Sequence, residues 1–173
     1  MTTDTISVLG LGYIGLPTAA MFASRGKKVQ GIDVDQGVID TINGGKIHIV
    51  EPALDVLVKT VVEEGLLSAS MKPEPADVFL IAVPTPFAKD QNGDPEPDLS
   101  YLKAAAISIA PFLRRGNLVI LESTSPVGTT EKLVRWLAVA RPDLSFPDLC
   151  EPEADINVAY CPERVLPGQV ISE

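Results

Sequence analysis

The chain is poor in the residues that carry metal and disulfide chemistry. Its 173 residues include two cysteines, Cys150 and Cys161, and one histidine, His48. Two cysteines give neither a disulfide framework nor a metal-ligand spacing, and a lone histidine has no set of partners. The sequence therefore predicts no metal site. Cys161 ends an apolar run, and we interpret it as an inert core thiol rather than a nucleophile.

Basic residues and long apolar runs are also scarce. Lysine and arginine number 14 against 23 aspartates and glutamates, which gives a net charge of −9. Nucleic acid and anionic membranes need a basic face, so neither is expected as a partner. The apolar runs are strand-sized, and the start MTTDTISV lacks the pattern of a signal peptide. These features predict a cytoplasmic protein, which can still bind a small phosphorylated molecule through backbone N–H groups.

What the sequence does contain is an alternation of short apolar runs with helix-like segments. The predicted strands are 5–9, 28–33, 67–70, 77–83, 117–123 and 156–160, and the predicted helices are 14–26, 36–43, 51–65, 98–113 and 129–140. The strands are continuously apolar, as in a sheet covered on both faces. The pattern predicts an α/β fold of the Rossmann type, a doubly wound, six-stranded, mainly parallel sheet with helices on both faces. Two stretches rich in Pro and Asp, 84–98 and 141–155, are interpreted as surface loops.

A glycine-rich turn, VLGLGYIGLP, follows the first predicted strand and opens a helix. In this context Gly10 permits a tight turn, Gly12 lets a pyrophosphate approach the backbone, and Gly15 lets the helix lie close to the strand. Tyr13 and Ile14 would offer backbone N–H groups to the pyrophosphate, while their side chains pack. With no lysine in the turn, the helix N-terminus meets the phosphate charge. The turn predicts a dinucleotide site.

An acid ends the second predicted strand, KVQGID, at Asp33. A carboxylate there accepts hydrogen bonds from a ribose diol and repels a 2′-phosphate, which predicts NAD rather than NADP as the cofactor. Asp35 is a nearby competitor for this role, but Asp33 lies where the apolar run stops.

Polar residues also follow the carboxyl ends of the later strands, where an open parallel sheet binds its ligands. Thr85 lies between two prolines, Thr124 follows LVIL, and Glu163 follows INVAY. Simple turn chemistry is the alternative for Thr85, and an ordinary polar turn is the alternative for Thr124. A carboxylate at the end of a buried strand suits a general base, so Glu163 is a catalytic candidate. An ion pair with Arg164 is the alternative reading of Glu163.

Four motifs in this order, GLGYIGLP, AVPTP, ESTSPVGTTEKL and YCPERVLPGQ, resemble the UDP-glucose/GDP-mannose (nucleotide-sugar) 6-dehydrogenase family. The resemblance covers essentially the whole chain. PERVLPG and IHIVEP resemble the branch that acts on N-acetylated sugars. The UDP-glucose branch carries a second glutamate where this chain has Pro167. The implied substrate is UDP-N-acetyl-D-mannosamine, with UDP-N-acetylglucosamine and UDP-glucose as alternatives.

Membership of this family implies oxidation of the sugar C6 alcohol to a carboxylate with two NAD. The resemblance assigns proton handling and positioning of water to Thr124 and Glu163, and contact with the sugar nucleotide to Arg164 and Val165. It also assigns NAD binding to the glycine turn, Asp33 and Thr85, with Thr124 or Thr130 close by. Thr129 or Thr130 can equally be a helix N-cap.

Members of the family continue through a central helix with a catalytic lysine and a second domain with the nucleophilic cysteine. Neither motif occurs in this sequence. We therefore expect residues 1–173 to form the NAD-binding domain of a longer protein that is a homodimer, and to be inactive alone. A non-catalytic NAD-binding module is the alternative from another class; it has no need of Thr124 with Glu163 and Arg164.

Overall fold

The computed structural model describes residues 4–89, 94–147 and 153–163. Its strands are β1 (Thr5–Leu9), β2 (Lys28–Ile32), β3 (Leu67–Ser70), β4 (Val78–Ile81), β5 (Phe87–Lys89), β6 (Pro95–Pro97), β7 (Leu118–Glu122) and β8 (Asn157–Cys161). Its helices are α1 (Gly15–Ser24), α2 (Gln36–Asn43), α3 (Leu54–Glu63), α4 (Ser100–Ile109) and α5 (Thr129–Ala140). A single 3-10 turn, Ala110–Phe112, extends α4.

Within the described residues, six strands form one sheet in the order β3-β2-β1-β4-β7-β8, and every neighbouring pair in it is parallel. The chain starts at the middle of this sheet, runs outward to β3, and then returns across β1 to β4. The strand order therefore reverses between β1 and β4, and a crevice opens at such a point beyond the strand ends. The predicted Rossmann-type fold is confirmed.

Helices cover both faces of the sheet. Helices α1, α2 and α3 bury their apolar residues against one face, together with Ile6 and Val8 of β1. Helices α4 and α5 bury theirs against the other face, together with Phe79 and Val119. Because strand side chains alternate between faces, the central strands carry apolar residues at successive positions. All four residues of β4 are buried.

Strand β8 differs from the buried strand that the sequence predicts. It lies at the edge of the sheet, and most of its residues are exposed. Cys161 is its last residue and is exposed, so its interpretation as a core thiol is wrong. INVAY joins the sheet through β7 and packs Ile156 and Val158 against the core, while the other three residues, Asn157, Ala159 and Tyr160, are exposed.

Two smaller differences concern the loops. The stretch 84–98 contains a short antiparallel pair, β5 and β6, which its Pro and Asp content concealed. The predicted N-cap role of Thr129 or Thr130 is wrong, because Gly128 caps α5 in a left-handed conformation (φ 85°). Thr129 is the first helical residue, and its hydroxyl donates to the carbonyl of Pro126 at 2.7 Å.

Among the described residues, no helix combines the length and the apolar character needed to cross a membrane.

Candidate functional site

A cavity of about 710 Å³ lies at the carboxyl ends of the strands. It extends from the end of β2 across the turns that follow β1, β4 and β7 to the end of β8. Its lining residues are Leu9, Gly10, Leu11, Gly12, Tyr13, Ile14, Ile32, Asp33, Val34, Met71, Ala82, Val83, Pro84, Thr85, Tyr101, Ala104, Ala105, Ser108, Glu122, Ser123, Thr124 and Glu163. The reversal of strand order thus lies within one continuous cleft.

The three glycines of the first turn occupy different environments. Gly10 has a φ of 89°, and a Cβ at this position would lie 2.7 Å from the carbonyl oxygen of Ala82. A Cβ on Gly15 would lie 1.8 Å from the carbonyl oxygen of Gly10, so only glycine lets α1 start this close to the strand. At Gly12 a Cβ would meet nothing within 4 Å. Gly12 therefore borders open space in the cavity, not a neighbouring part of the protein.

The start of α1 faces the same space. Its N-cap, Ile14, supplies no side-chain hydrogen bond, and the first turn contains no acidic residue. The positive end of the helix dipole is thus uncompensated by these residues. Tyr13 lines the cavity and is 44% exposed, so its side chain is not packed in the interior as the sequence suggested.

Asp33 lies just beyond β2 with both carboxylate oxygens held by backbone groups. Its Oδ2 accepts from the N–H of Leu11 at 3.0 Å, and its Oδ1 accepts from the N–H of Asp35 at 3.0 Å. Each carboxylate oxygen keeps a second lone pair, which suits a diol. The competitor, Asp35, caps α2 by accepting from the N–H of Gly37 at 2.7 Å and does not line the cavity.

Hydrogen bonds join three consecutive strand ends at the other side of the cavity. The Thr85 hydroxyl donates to the Thr124 carbonyl oxygen at 2.5 Å, and the Thr124 hydroxyl donates to Glu163 Oε2 at 3.2 Å. These bonds connect residues that are 39 positions apart in each case. The predicted trio of Thr85, Thr124 and Glu163 is thus brought together. Glu163 is half-buried, beyond an exposed edge strand rather than a buried one.

Other predicted residues are placed differently. Thr130 lies in the first turn of α5 and is not among the residues lining the cavity. Cys161 does not line it either. Arg164, Val165 and Cys150 lie outside the described residues, as does the proposed ion pair between Arg164 and Glu163.

Sequence reasoning missed Glu122, the last residue of β7. Burial raises the pKa of its carboxyl, a hydrogen bond with the Thr18 side chain opposes that rise, and the charge of Glu163 adds to it. The sequence signal that could have revealed Glu122 is an acid that directly ends the apolar run LVIL. The contribution of α4 to the cavity through Tyr101, Ala104 and Ser108 was also missed, since nothing local marks those residues.

The residues present fit a dinucleotide. Open space at Gly12 and the uncapped start of α1 suit a pyrophosphate, and the fixed carboxylate of Asp33 suits a ribose. The large exposed side chains of Val34 and Met71 beside Asp33 suit the flat apolar face of a base. Fold and site together define a dinucleotide-binding Rossmann domain.

Comparison with known proteins places this domain in a family. Residues 4–173 match the UDP-glucose/GDP-mannose dehydrogenase family, NAD binding domain. The chain belongs to this family, so the predicted membership and the predicted cofactor, NAD, are confirmed.

Several curated relatives are similar over the whole chain. UDP-N-acetyl-D-mannosamine dehydrogenase of Yersinia pestis is 65% identical over 173 residues, which are 100% of this chain and 40% of the relative. NDP-N-acetyl-D-galactosaminuronic acid dehydrogenase of Ralstonia nicotianae is 62% identical over 98% of this chain and 39% of the relative. The chain thus spans about 40% of the length of these relatives.

Solved structures agree with the fold. UDP-N-acetyl-mannosamine dehydrogenase Cap5O of Staphylococcus aureus superposes with a TM-score of 0.85 at 42% identity, covering 98% of this chain and 38% of that one. A ternary complex of GDP-mannose dehydrogenase from Pseudomonas aeruginosa gives a TM-score of 0.83 at 30% identity, covering 96% of this chain and 38% of that one.

Proposed function

We propose that residues 1–173 form one NAD-binding domain that serves oxidation of the C6 alcohol of UDP-N-acetyl-D-mannosamine to a carboxylate. In this proposal the rest of the catalytic machinery lies in a longer polypeptide, as the length of the relatives suggests. When bound, the cofactor would accept the hydride. The identity of 65% to a UDP-N-acetyl-D-mannosamine dehydrogenase supports the sugar assignment, and the similarity to a galactosaminuronic acid enzyme makes a second N-acetylated sugar the alternative.

The observation that carries the proposal is the hydrogen-bonded series of Thr85, Thr124 and Glu163 on the wall of the cavity. A domain that only bound NAD would need the glycine turn and Asp33. It would not need a carboxylate held by a threonine at the far end of the cleft, where the nicotinamide lies if the adenosine is at Asp33.

Each residue of this series has a distinct role in the proposal. Glu163 accepts a proton from the substrate alcohol or from water, since a carboxylate on the wall of the cleft can act as a general base. Thr124 orients that carboxylate by donating to it and keeps a lone pair for a further donor. Thr85 fixes the backbone of Thr124 by donating to its carbonyl. Asp33 and the glycine turn hold the adenosine and pyrophosphate.

The cofactor part of the proposal is tested by Gly12→Ala. A methyl group at Gly12 enters open space, so the variant should keep its thermal midpoint within about 2 °C. The same methyl group would keep a pyrophosphate from the backbone, so we expect NAD affinity to fall by tenfold or more, measured by isothermal titration calorimetry.

Gly37→Ala in α2 is the matched control. It makes the same chemical change outside the cavity, and it requires the Asp35 carboxylate, 3.1 Å from the new Cβ, to shift by only tenths of an ångström. NAD affinity should be unchanged. Normal NAD binding by a folded Gly12→Ala variant would contradict the assignment of the pyrophosphate to this turn.

A further inference from the structure

Among the carboxylates in the described lining of the cavity, Glu122 is distinguished by a buried oxygen that has no hydrogen-bond partner among the described residues. Leu118 and Ile120 of β7 pack on the sheet face that α1 covers, and alternation places Glu122 on that same face. The Thr18 side chain of α1 acts on the Glu122 carboxyl and lowers its pKa. The buried oxygen without a partner among the described residues is Oε2 of Glu122. An acid with one oxygen left unsatisfied is costly, so the position calls for a functional explanation.

The side chains that face Glu122 carry no positive charge. Helix α1 offers the neutral Thr18 hydroxyl, and the turn after β4 that lines the cavity, residues 82–85, is uncharged. Strand β8 pairs Cys161 with Glu122 in register and ends near Glu163, whose negative charge acts on Glu122. The remaining titratable residues of the cavity wall are Tyr13, Asp33 and Tyr101. Within the described residues, no lysine, arginine or histidine lines the cavity.

The complementary charge is available from the cofactor. If the adenosine lies at Asp33 and the pyrophosphate at the glycine turn, the second nucleoside lies beyond β4, β7 and β8, beside Glu122, Thr124 and Glu163. The oxidised nicotinamide ring carries one positive charge, and the reduced ring carries none. A buried carboxylate therefore interacts differently with the two oxidation states, because Coulomb interactions are strong where water is excluded.

We propose that Glu122 determines the redox selectivity of this site, its ionised carboxylate favouring NAD⁺ over NADH in a proton-linked manner. The proposal rests on the placement of NAD given under Proposed function. It also has a consequence for the reaction: an oxidation that uses two NAD in succession must exchange NADH for NAD⁺, and the ionised Glu122 favours that exchange.

The sign of the proton linkage follows from the environment of Glu122. Burial and Glu163 raise its pKa, so Glu122 takes up its proton at a higher pH than an exposed glutamate does. Glu122 gives up its proton more readily beside a cationic ring than beside a neutral one. The affinity for NAD⁺ therefore rises with pH through this titration more than the affinity for NADH does.

The test compares NAD⁺ and NADH binding to the 173-residue chain by isothermal titration calorimetry between pH 4.5, the ordinary pKa value for a glutamate, and pH 8.5. In the unmodified chain, the ratio of NAD⁺ to NADH affinity should rise about fivefold to tenfold across this range. Titrations in two buffers with different ionisation enthalpies should show proton release on binding NAD⁺ and less on binding NADH. In Glu122→Gln, which preserves side-chain size, the ratio of NAD⁺ to NADH affinity should not change with pH.

Two further variants separate Glu122 from its neighbours. Glu163→Gln removes a negative charge that raises the Glu122 pKa, so the rise in the ratio should move to lower pH. Thr18→Val removes a hydrogen bond that favours the ionised form, so the rise should move to higher pH. Circular dichroism checks that each variant is folded.

The outcomes discriminate between this inference and the proposed function. A pH-dependent ratio that persists in Glu122→Gln, or one that Glu163→Gln abolishes, would overturn the role of Glu122. A flat ratio in the unmodified chain would overturn it as well while leaving NAD binding intact. Failure of the unmodified chain to bind either cofactor would instead refute the proposed function.

Discussion

At the scale of single residues, Asp33 shows how one side chain can support both the fold and a proposed cofactor site. Its two oxygens accept the backbone N–H groups of Leu11 and Asp35, so the carboxylate ties the glycine turn to the end of β2. Hydrogen bonds to an ionised acceptor are stronger than neutral ones, and they hold the carboxylate in one orientation. A rigid acceptor binds a diol without further loss of side-chain entropy.

We expect Asp33→Ala to lower NAD affinity by about tenfold or more and to weaken or remove the preference for NAD over NADP. The reason is that the variant loses both the diol acceptor and the negative charge that repels a 2′-phosphate. Dissociation constants for NAD and NADP, measured by calorimetry on the same preparations, give the preference directly.

Asp35→Ala is the control for this prediction. It removes the side-chain cap of α2 and should reduce stability by about 1 kcal/mol, while the preference for NAD remains. Equal affinity of the unmodified chain for NAD and NADP would contradict the role of Asp33, and so would a preference that only Asp35→Ala changes.

At the scale of elements, one aspartate joins the amino ends of the central strands. Asp77 precedes β4, and its Oδ2 accepts from the backbone N–H groups of Asp4 and Thr5 and from the Thr5 hydroxyl, at 2.9–3.1 Å. Its Oδ1 accepts from Arg114 at 2.9 Å. These bonds lower the pKa of Asp77 to about 2, the backbone N–H of Asp4 having the largest effect.

The stability of the domain should therefore depend on pH through Asp77. Because its folded pKa lies below the ordinary value of 3.8, the stabilisation is fully present above that value and is lost as pH falls toward about 2. We expect Asp77→Asn to lower the free energy of unfolding at pH 7 by about 1–2 kcal/mol, a figure reduced for the partial exposure of the side chain. Urea denaturation at pH 7, 5 and 3 should show the difference from the unmodified chain shrinking at pH 3.

Asp143 provides the comparison for Asp77. It also pairs with an arginine, Arg141, but on the exposed surface, and its pKa is lowered mainly by that side-chain hydrogen bond. Asp143→Asn should change stability less than Asp77→Asn does, because solvent screens its charge. A constant difference between Asp77→Asn and the unmodified chain from pH 7 to 3 would refute the linkage.

At the scale of the whole molecule, the described lining of the cavity includes the proposed proton acceptor, Glu163, but no cysteine. Cys161 is exposed on β8 and does not line the cavity, and no other cysteine lies in the part of the chain that the structure describes. The nucleophilic cysteine that the family resemblance implies thus has no counterpart among the described residues that line the cavity.

We expect the 173-residue chain to bind NAD but to form no NADH from UDP-N-acetyl-D-mannosamine, followed by absorbance at 340 nm. A chimaera that continues residues 1–173 with the remaining part of the Yersinia pestis relative should oxidise this sugar, since 65% identity favours a compatible interface. Glu163→Gln in the chimaera should slow the reaction by about 10²–10⁴-fold, the usual contribution of a general base.

The wild-type and Glu163→Gln chimaeras should bind NAD with similar affinity, which serves as the control. Turnover by the 173-residue chain alone would mean that the nucleophile has been misplaced. Unchanged turnover in the Glu163→Gln chimaera would remove Glu163 from the proton transfer.

The sequence by itself determined the type and order of the helices and of the six strands of the main sheet, the glycine turn and the acid after β2. These features depend on local properties: the periodicity of apolar residues, the freedom of glycine and the position where an apolar run stops. Predictions made from single short segments therefore agree with β1, β3, α2 and α5 in their bounds. The candidates Thr85, Thr124 and Glu163 were found from one general rule about strand ends.

Only the tertiary structure decided how these segments meet. It placed β4 beside β1 and β8 at the exposed edge of the sheet, and this order made Cys161 a surface residue. It joined Asp77 to Thr5 across 72 positions, and it placed Glu122 near Thr18 of α1 with one carboxylate oxygen buried. Burial, hydrogen bonding and pKa depend on neighbours that are distant in sequence, so no local pattern in the chain could reveal them.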